Sequence, residues 1–174
     1  MNGEKVRLRA VEPGDVDFIY QMENDPSVWH VGNTVVPFSR FQIEQYALTS
    51  QHNIFAEKQL RLMIDLNVAS NKHRTIGAID LYDFDPLHKR AGIGILIVQE
   101  ERGKGFAFES LGLLIRYSFE ILMLHQLFCY ISPENIQSMH LFEKQRFVKC
   151  GVKKEWRLID GKWTDEIMFQ LINS

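Results

Sequence analysis

The stretch that most restricts the fold lies between residues 91 and 122. Residues 91–98 are an unbroken apolar run, which reads as a strand covered on both faces. The run leads into Arg102-Gly103-Lys104-Gly105, and a helix opens at about Phe106. Leu111, Leu114, Ile115, Phe119 and Leu122 then recur at helical spacing, predicting a long, strongly apolar helix over 106–122. The first N–H groups of a helix have no partner inside it and carry partial positive charge. The glycine turn is therefore a built anion site. Gly103 and Gly105 carry no Cβ, so the backbone can approach a bulky anion such as a pyrophosphate, and Arg102 and Lys104 add full charges.

Two common anion turns are excluded. Gly105 is followed by Phe106 with no Lys-Ser or Lys-Thr pair, so this is not the ATP-binding glycine-lysine loop. Residue 108 is Phe, so it is not the dinucleotide Gly-x-Gly-x-x-Gly turn.

The rest of the chain reads as alternating strands and helices. Residues 6–11 are an opening strand. Pro13-Gly14-Asp15 starts a helix in which Asp15 can cap and Phe18, Ile19 and Met22 face one way, ending near Asn24-Asp25-Pro26. Residues 28–37 read as irregular, with Gly32, Asn33 and Pro37 as breakers. A second helix follows Ser39, a good N-cap. Strands are expected at 61–68 and 75–83 around a turn at 69–74, then a loop at 85–90. Past the long helix come a strand at 127–131, a helix at 135–144 and closing strands at 147–150, 153–159 and 162–171. Asp160-Gly161 is a hairpin signal between the last two.

Arg102-x-x-Gly105-x-Ala107 resembles the Arg/Gln-x-x-Gly-x-Gly/Ala signature of the GNAT family of N-acetyltransferases. The segment Asn135-x-x-Ser138-x-x-Leu141-Phe142-Glu143-Lys144-x-x-Phe147 resembles the family's second motif, in the same order and at a similar separation. The opening residues 6–15 and the tail Trp156-Arg157 … Asp160-Gly161-Lys162-Trp163 are similar to the branch holding spermidine N-acetyltransferases and ribosomal-protein N-terminal acetyltransferases. The resemblance implies an α+β GNAT fold: a mixed, mostly antiparallel sheet split after its fourth strand, with flanking helices. It implies acetyl-CoA as acyl donor, a primary amine as acceptor and one N-acetyltransferase domain over 1–174. The donor would be held by Arg102, Gly103, Lys104, Gly105, Phe106 and Ala107, by the strand end Leu96, Ile97 and Val98, and by Asn135, Ser138 and Phe142. Asn135 is equally a plain helix N-cap, and both readings stay open here.

Acyl transfer to an amine needs a neutral nitrogen, a polarised carbonyl and a proton for the leaving thiolate. The chain departs from the family at three positions. The tyrosine that often protonates the thiolate is Phe142, the usual glycine before Phe147 is Arg146, and one usual base position is Gly92. Tyr130 and Asp83 are the remaining catalytic candidates, with Asp80, Asp85, Glu100 and Glu101 weighed beside them and the last two read as facing solvent. Trp29, Phe38 and Tyr82 are candidate acceptor contacts. Residues 31–40 contain no acid, and Arg40 is positive, so a long polycation lacks a counter-charge there. The empty proton-transfer positions also leave open an acyl-CoA-binding module without turnover.

Bulk properties narrow the partners. The chain has 174 residues, 45% of them hydrophobic, and a formal net charge of −2, which excludes a broad nucleic-acid surface. The start Met-Asn-Gly-Glu-Lys-Val has no apolar leader core, and no apolar stretch reaches membrane-spanning length, so a cytoplasmic protein without a membrane partner is expected. The six histidines and two cysteines show no metal-ligand spacing, and Cys129 and Cys150 read as reduced core thiols. The resemblance implies a small-molecule or peptide amine as acceptor. The closing hairpin with Trp156 and Trp163 is the candidate surface for a homo-oligomer.

Overall fold

The computed structural model describes residues 1–32, 36–49, 53–67 and 73–173, with only the backbone described at 30–32 and 49. The expected turn at 69–74 lies outside the described residues except for His73 and Arg74, as does Val68 at the end of its strand. Strands β1 (Val6–Ala10), β2 (Leu60–Leu66), β3 (Arg74–Asp85), β4 (Arg90–Ile97), β5 (Gln126–Ile131), β6 (Val148–Ile159) and β7 (Lys162–Ile172) form one sheet. Its order is β1-β2-β3-β4-β5-β7-β6. Every neighbouring pair is antiparallel except β4 and β5, which run parallel.

That parallel pair sets up the site. β4 and β5 pair only at Arg90↔Gln126, Ala91↔Leu127 and Gly92↔Phe128. Beyond Gly92 and Phe128 the strands separate, and the sheet splits after its fourth strand. The expected covering of both faces of β4 holds at Ala91, Gly92, Ile93 and Ile97, whereas Gly94, Ile95 and Leu96 are only half-buried where the sheet opens.

The helices divide between the two faces. Helix α5 (Phe106–Glu120) buries Leu111, Leu113 and Leu114 with Ile64, Ile79, Ile93, Leu127 and Phe169 in the main core. Helix α6 (Ile136–Lys144) adds Phe142 to that core. On the opposite face, α1 (Val16–Glu23) and α3 (Arg40–Thr49) lay Ile19, Met22, Ile43 and Ala47 over Met63 and Ala78. At the open end of the sheet, Asp65 takes hydrogen bonds from Arg7, Arg9 and Thr75. Arg9 also reaches Asp15, which ties β1, β2, β3 and the entry to α1 together.

Several sequence expectations are corrected. Residues 28–32 are helical, in α2 (Pro26–Gly32), because Pro26 at the first helical position pre-sets the backbone before Gly32 ends the turn. A further short helix, α4 (Ile54–Glu57), is capped by Asn53. The strands expected at 147–150 and 153–159 are one strand, β6, interrupted by bulges between Lys149 and Gly151 and between Lys153 and Arg157. Cys129 is buried as expected, but Cys150 is exposed, because β6 is the edge of the sheet and bulges there. Asp15 makes no cap hydrogen bond to α1. Its carboxylate closes the preceding turn on the Glu12 N–H.

Candidate active site

The anion turn has the geometry that its glycines demand. Gly103 and Gly105 adopt φ of +76° and +87°, a left-handed region open mainly to glycine, and Gly105 is the N-cap of α5. A Cβ added at either glycine would meet nothing within 4 Å, so open space stands in front of both. The residues present therefore fit the pyrophosphate of an acyl-CoA. The Arg102 side chain does not project freely: its Nε donates to the Ile97 carbonyl at 2.8 Å and locks the turn to the end of β4.

Glu101 corrects the solvent-facing reading. It is buried, with 6% of its surface exposed, and accepts hydrogen bonds from Arg74 and from Lys104 Nζ at 2.9 Å. Arg74 and Lys104 hold its carboxyl below the usual carboxylate range. This bridge anchors the turn to β3 and fixes the Lys104 ammonium beside it. Glu100 is exposed, as expected.

The split continues from the turn. An open cleft of about 2950 Å³ is lined by the turn, by β4 from Ile93 to Ile97, by β5 from Cys129 to Ile131, and by Asn135, Ser138 and Phe142 of the second motif. An unpaired strand edge such as that of β4 presents backbone donors and acceptors to an extended ligand. Asn135 caps α6, its Oδ1 accepting from the Ser138 N–H at 3.1 Å, and still faces the cleft. Phe142 is 3% exposed and packs edge-to-face on Phe147, with ring centroids 5.0 Å apart. It offers a wall and no proton.

The sheet register defines which side chains stand together beside the split. Residues opposite one another across paired strands share a face, as do alternate residues along a strand. Arg61↔Asp80, Tyr82↔Gly92↔Phe128 and Tyr130↔Met168 therefore line one side, together with Lys153↔Glu166. This is the side covered by α1 and α3. Tyr82, Phe128 and Tyr130 form an edge-to-face chain, with centroids 5.8 and 5.5 Å apart. Burial pushes the Tyr82 hydroxyl's pKa above its ordinary value. Trp29 and Phe38 also line the cleft. The Trp29 indole donates to the Glu23 carbonyl at 2.8 Å, and the Phe38 ring packs on the second core.

The carboxylates of this face are mostly engaged. Arg61 binds Asp80 through two hydrogen bonds of 2.8 and 2.9 Å and also binds Glu23. Glu166, 6% exposed, binds Lys153 at 3.1 Å. Asp83 is exposed at the rim, while Asp85 turns away to accept from the His88 N–H. Neither Lys153 nor Glu166 was visible as a site residue in the sequence. They meet only through the β6–β7 register, and the bulge beside Lys153 leaves no trace in the residue alternation. Among the described residues, no cluster of His, Cys, Asp or Glu could hold a metal, and no helix is long and apolar enough to cross a membrane.

Comparison with known proteins adds independent findings. The model of the family described as "Acetyltransferase (GNAT) domain" matches residues 5–148. The chain is 29% identical over 174 residues to a spermidine N(1)-acetyltransferase of Vibrio cholerae serotype O1, covering 100% of this chain and 96% of that one. The crystal structure of the Vibrio cholerae spermidine N-acetyltransferase with CoA and spermine superposes with a TM-score of 0.85 at 28% identity. It covers 98% of this chain and 96% of that one. A dodecameric structure of that enzyme in an intermediate state gives a TM-score of 0.80 at 25% identity, covering 98% and 95%.

Proposed function

The chain belongs to the acetyltransferase (GNAT) family, and from that membership and the split sheet we propose that its acceptor is a small-molecule primary amine arriving over Tyr82 and Tyr130. The protein is an acetyl-CoA-dependent N-acetyltransferase. One observation carries the acceptor reading. The cleft opened where β4 leaves β5 is lined both by the glycine turn and by Tyr82 and Tyr130, on the side of the sheet where α1 and α3 pack. Donor and acceptor would meet in one slot, and holding both removes much of the barrier.

When bound, acetyl-CoA supplies the thioester whose acetyl group passes to the amine nitrogen. The amides of residues 103–107 would hold its pyrophosphate, with Lys104 fixed beside them by Glu101. The edge of β4 that faces the split, at Leu96 and Ile97, and Val98 just beyond it would orient the pantetheine arm, and Asn135, Ser138 and Phe142 would close the other side. Phe142 has no proton to give, so Tyr130, on the separated end of β5, is the hydroxyl donor toward the sulfur. Asp83 at the rim receives the amine proton through water. The relatives named for spermidine support a small amine over a peptide, and the dodecamer of one of them supports a homo-oligomer.

Tyr130→Phe tests this assignment. It is expected to lower kcat by about 100-fold while leaving acetyl-CoA affinity unchanged, measured by steady-state kinetics and calorimetry. An unchanged kcat would remove Tyr130 from the chemistry.

A further inference from the structure

Lys153 is not an ordinary surface lysine. Its Nζ stands 3.5 Å from the centre of the Tyr130 ring and 4.8 Å from that of Trp156, and bonds the buried Glu166 carboxylate at 3.1 Å. Two aromatic faces and a desolvated carboxylate are the groups that recognise an alkylammonium ion. The bulge between Lys153 and Arg157 interrupts the ladder beside this cluster. An amine acceptor would bring a group of the same chemistry to the same face.

The other end of the face is filled in the same way. Arg61 occupies both Glu23 and Asp80. Three carboxylates that could hold a second ammonium group of an acceptor thus already carry an internal cation. What the cleft offers such a molecule instead is apolar at Trp29, Phe38 and Tyr82, with Asp83 an exposed carboxylate at its rim.

We propose that Lys153 fills the alkylammonium subsite formed by Tyr130, Trp156 and Glu166, and so selects acceptors with one amine on an apolar body against polyamines. This rests on the reading that the acceptor arrives over Tyr130. An incoming polyamine must displace Lys153 from Glu166 or accept repulsion from it. A monoamine needs neither. The chain thus differs in acceptor class from the spermidine enzymes it resembles.

The test is binding, read separately from turnover. Calorimetric affinities for spermidine and for 2-phenylethylamine, each with CoA present, are compared in the wild type, Lys153→Met and Lys153→Arg. Lys153→Met is expected to bind spermidine about tenfold more tightly than the wild type, with 2-phenylethylamine changed less than about twofold. Lys153→Arg, which keeps the cation, is expected to stay at the wild-type spermidine affinity. Lys153→Gln keeps a hydrogen bond to Glu166 and serves the same purpose if the methionine variant folds poorly. Equal or weaker spermidine binding in the neutral variants overturns the subsite. Thiol release from acetyl-CoA, followed in parallel, separates the two claims. Tighter spermidine binding without thiol release from any amine upholds the subsite and contradicts the catalytic reading. Thiol release without the gain in spermidine affinity does the reverse.

Discussion

Gly92 stands where a relative could carry a base, and the structure gives a packing reason for its lack of a side chain. A Cβ there would collide with the ring of Tyr82, which lies across the strand and begins the aromatic chain to Phe128 and Tyr130. Gly92→Ala is therefore expected to cost about 1–3 kcal/mol of stability, read as a lower Tm, and to raise the acceptor KM through the displaced Tyr82. An unchanged Tm and KM would mean that Tyr82 moves freely. Gly105 is constrained differently: its φ of +87° is strained for any side chain, and open space stands in front of it. Glu101 shows what one residue type hides in a sequence. A glutamate beside a charged loop reads as solvated, yet this one is enclosed because Arg74, from a distant strand, and Lys104 both converge on it.

Among the elements, those that build the donor site were the most legible, because their signals are local. An apolar run, two glycines and a helical apolar stripe lie within 32 consecutive residues (91–122), and the structure forms β4, the turn and α5 from them. Asn135 also caps α6 as its type suggests, its Oδ1 accepting from the Ser138 N–H. The elements read poorly depend on tertiary context. Residues 28–32 look like a broken loop until Pro26 starts a helix there, and β6 looks like two strands because the chain breaks its pattern around Gly151, at the first of its bulges. The end of α6 offers a sharper case. Arg146 takes φ of +67°, the left-handed position after a helix that glycine occupies at least cost. The turn is kept although the residue is unfavourable. Arg146→Gly is expected to stabilise the protein by about 1 kcal/mol, measured by denaturant unfolding, with activity unchanged. A loss of stability would show that the Arg146 side chain contributes more than its backbone costs.

At the scale of the whole molecule, the sheet has an exposed edge at β6, and large apolar groups cluster on it. Trp156, Leu158 and Trp163 are each more than half exposed, and Leu158 lies opposite Trp163 across the closing hairpin. Edges of this kind are paired or covered in stable proteins. Leu158→Lys combined with Trp163→Glu is expected to reduce the particle mass seen by light scattering to that of a monomer. A monomeric wild type, or an assembly unaffected by the pair, would contradict a role for this edge. The acceptor face was the least legible feature at this scale. Arg61, Glu23 and Asp80 come from three elements, and Lys153 meets Tyr130 only across the folded sheet. The joining of that face to the glycine turn through the split is the centre of the account. Its most direct test is release of free thiol from acetyl-CoA against a panel of primary amines, with Gly105→Asp as the donor-site control. The panel includes 2-phenylethylamine, spermidine and peptides beginning Ser or Ala. Amine-dependent release is expected, highest with the monoamine, and none from Gly105→Asp. A wild-type protein that binds acetyl-CoA by calorimetry yet releases no thiol with any of these amines would contradict it.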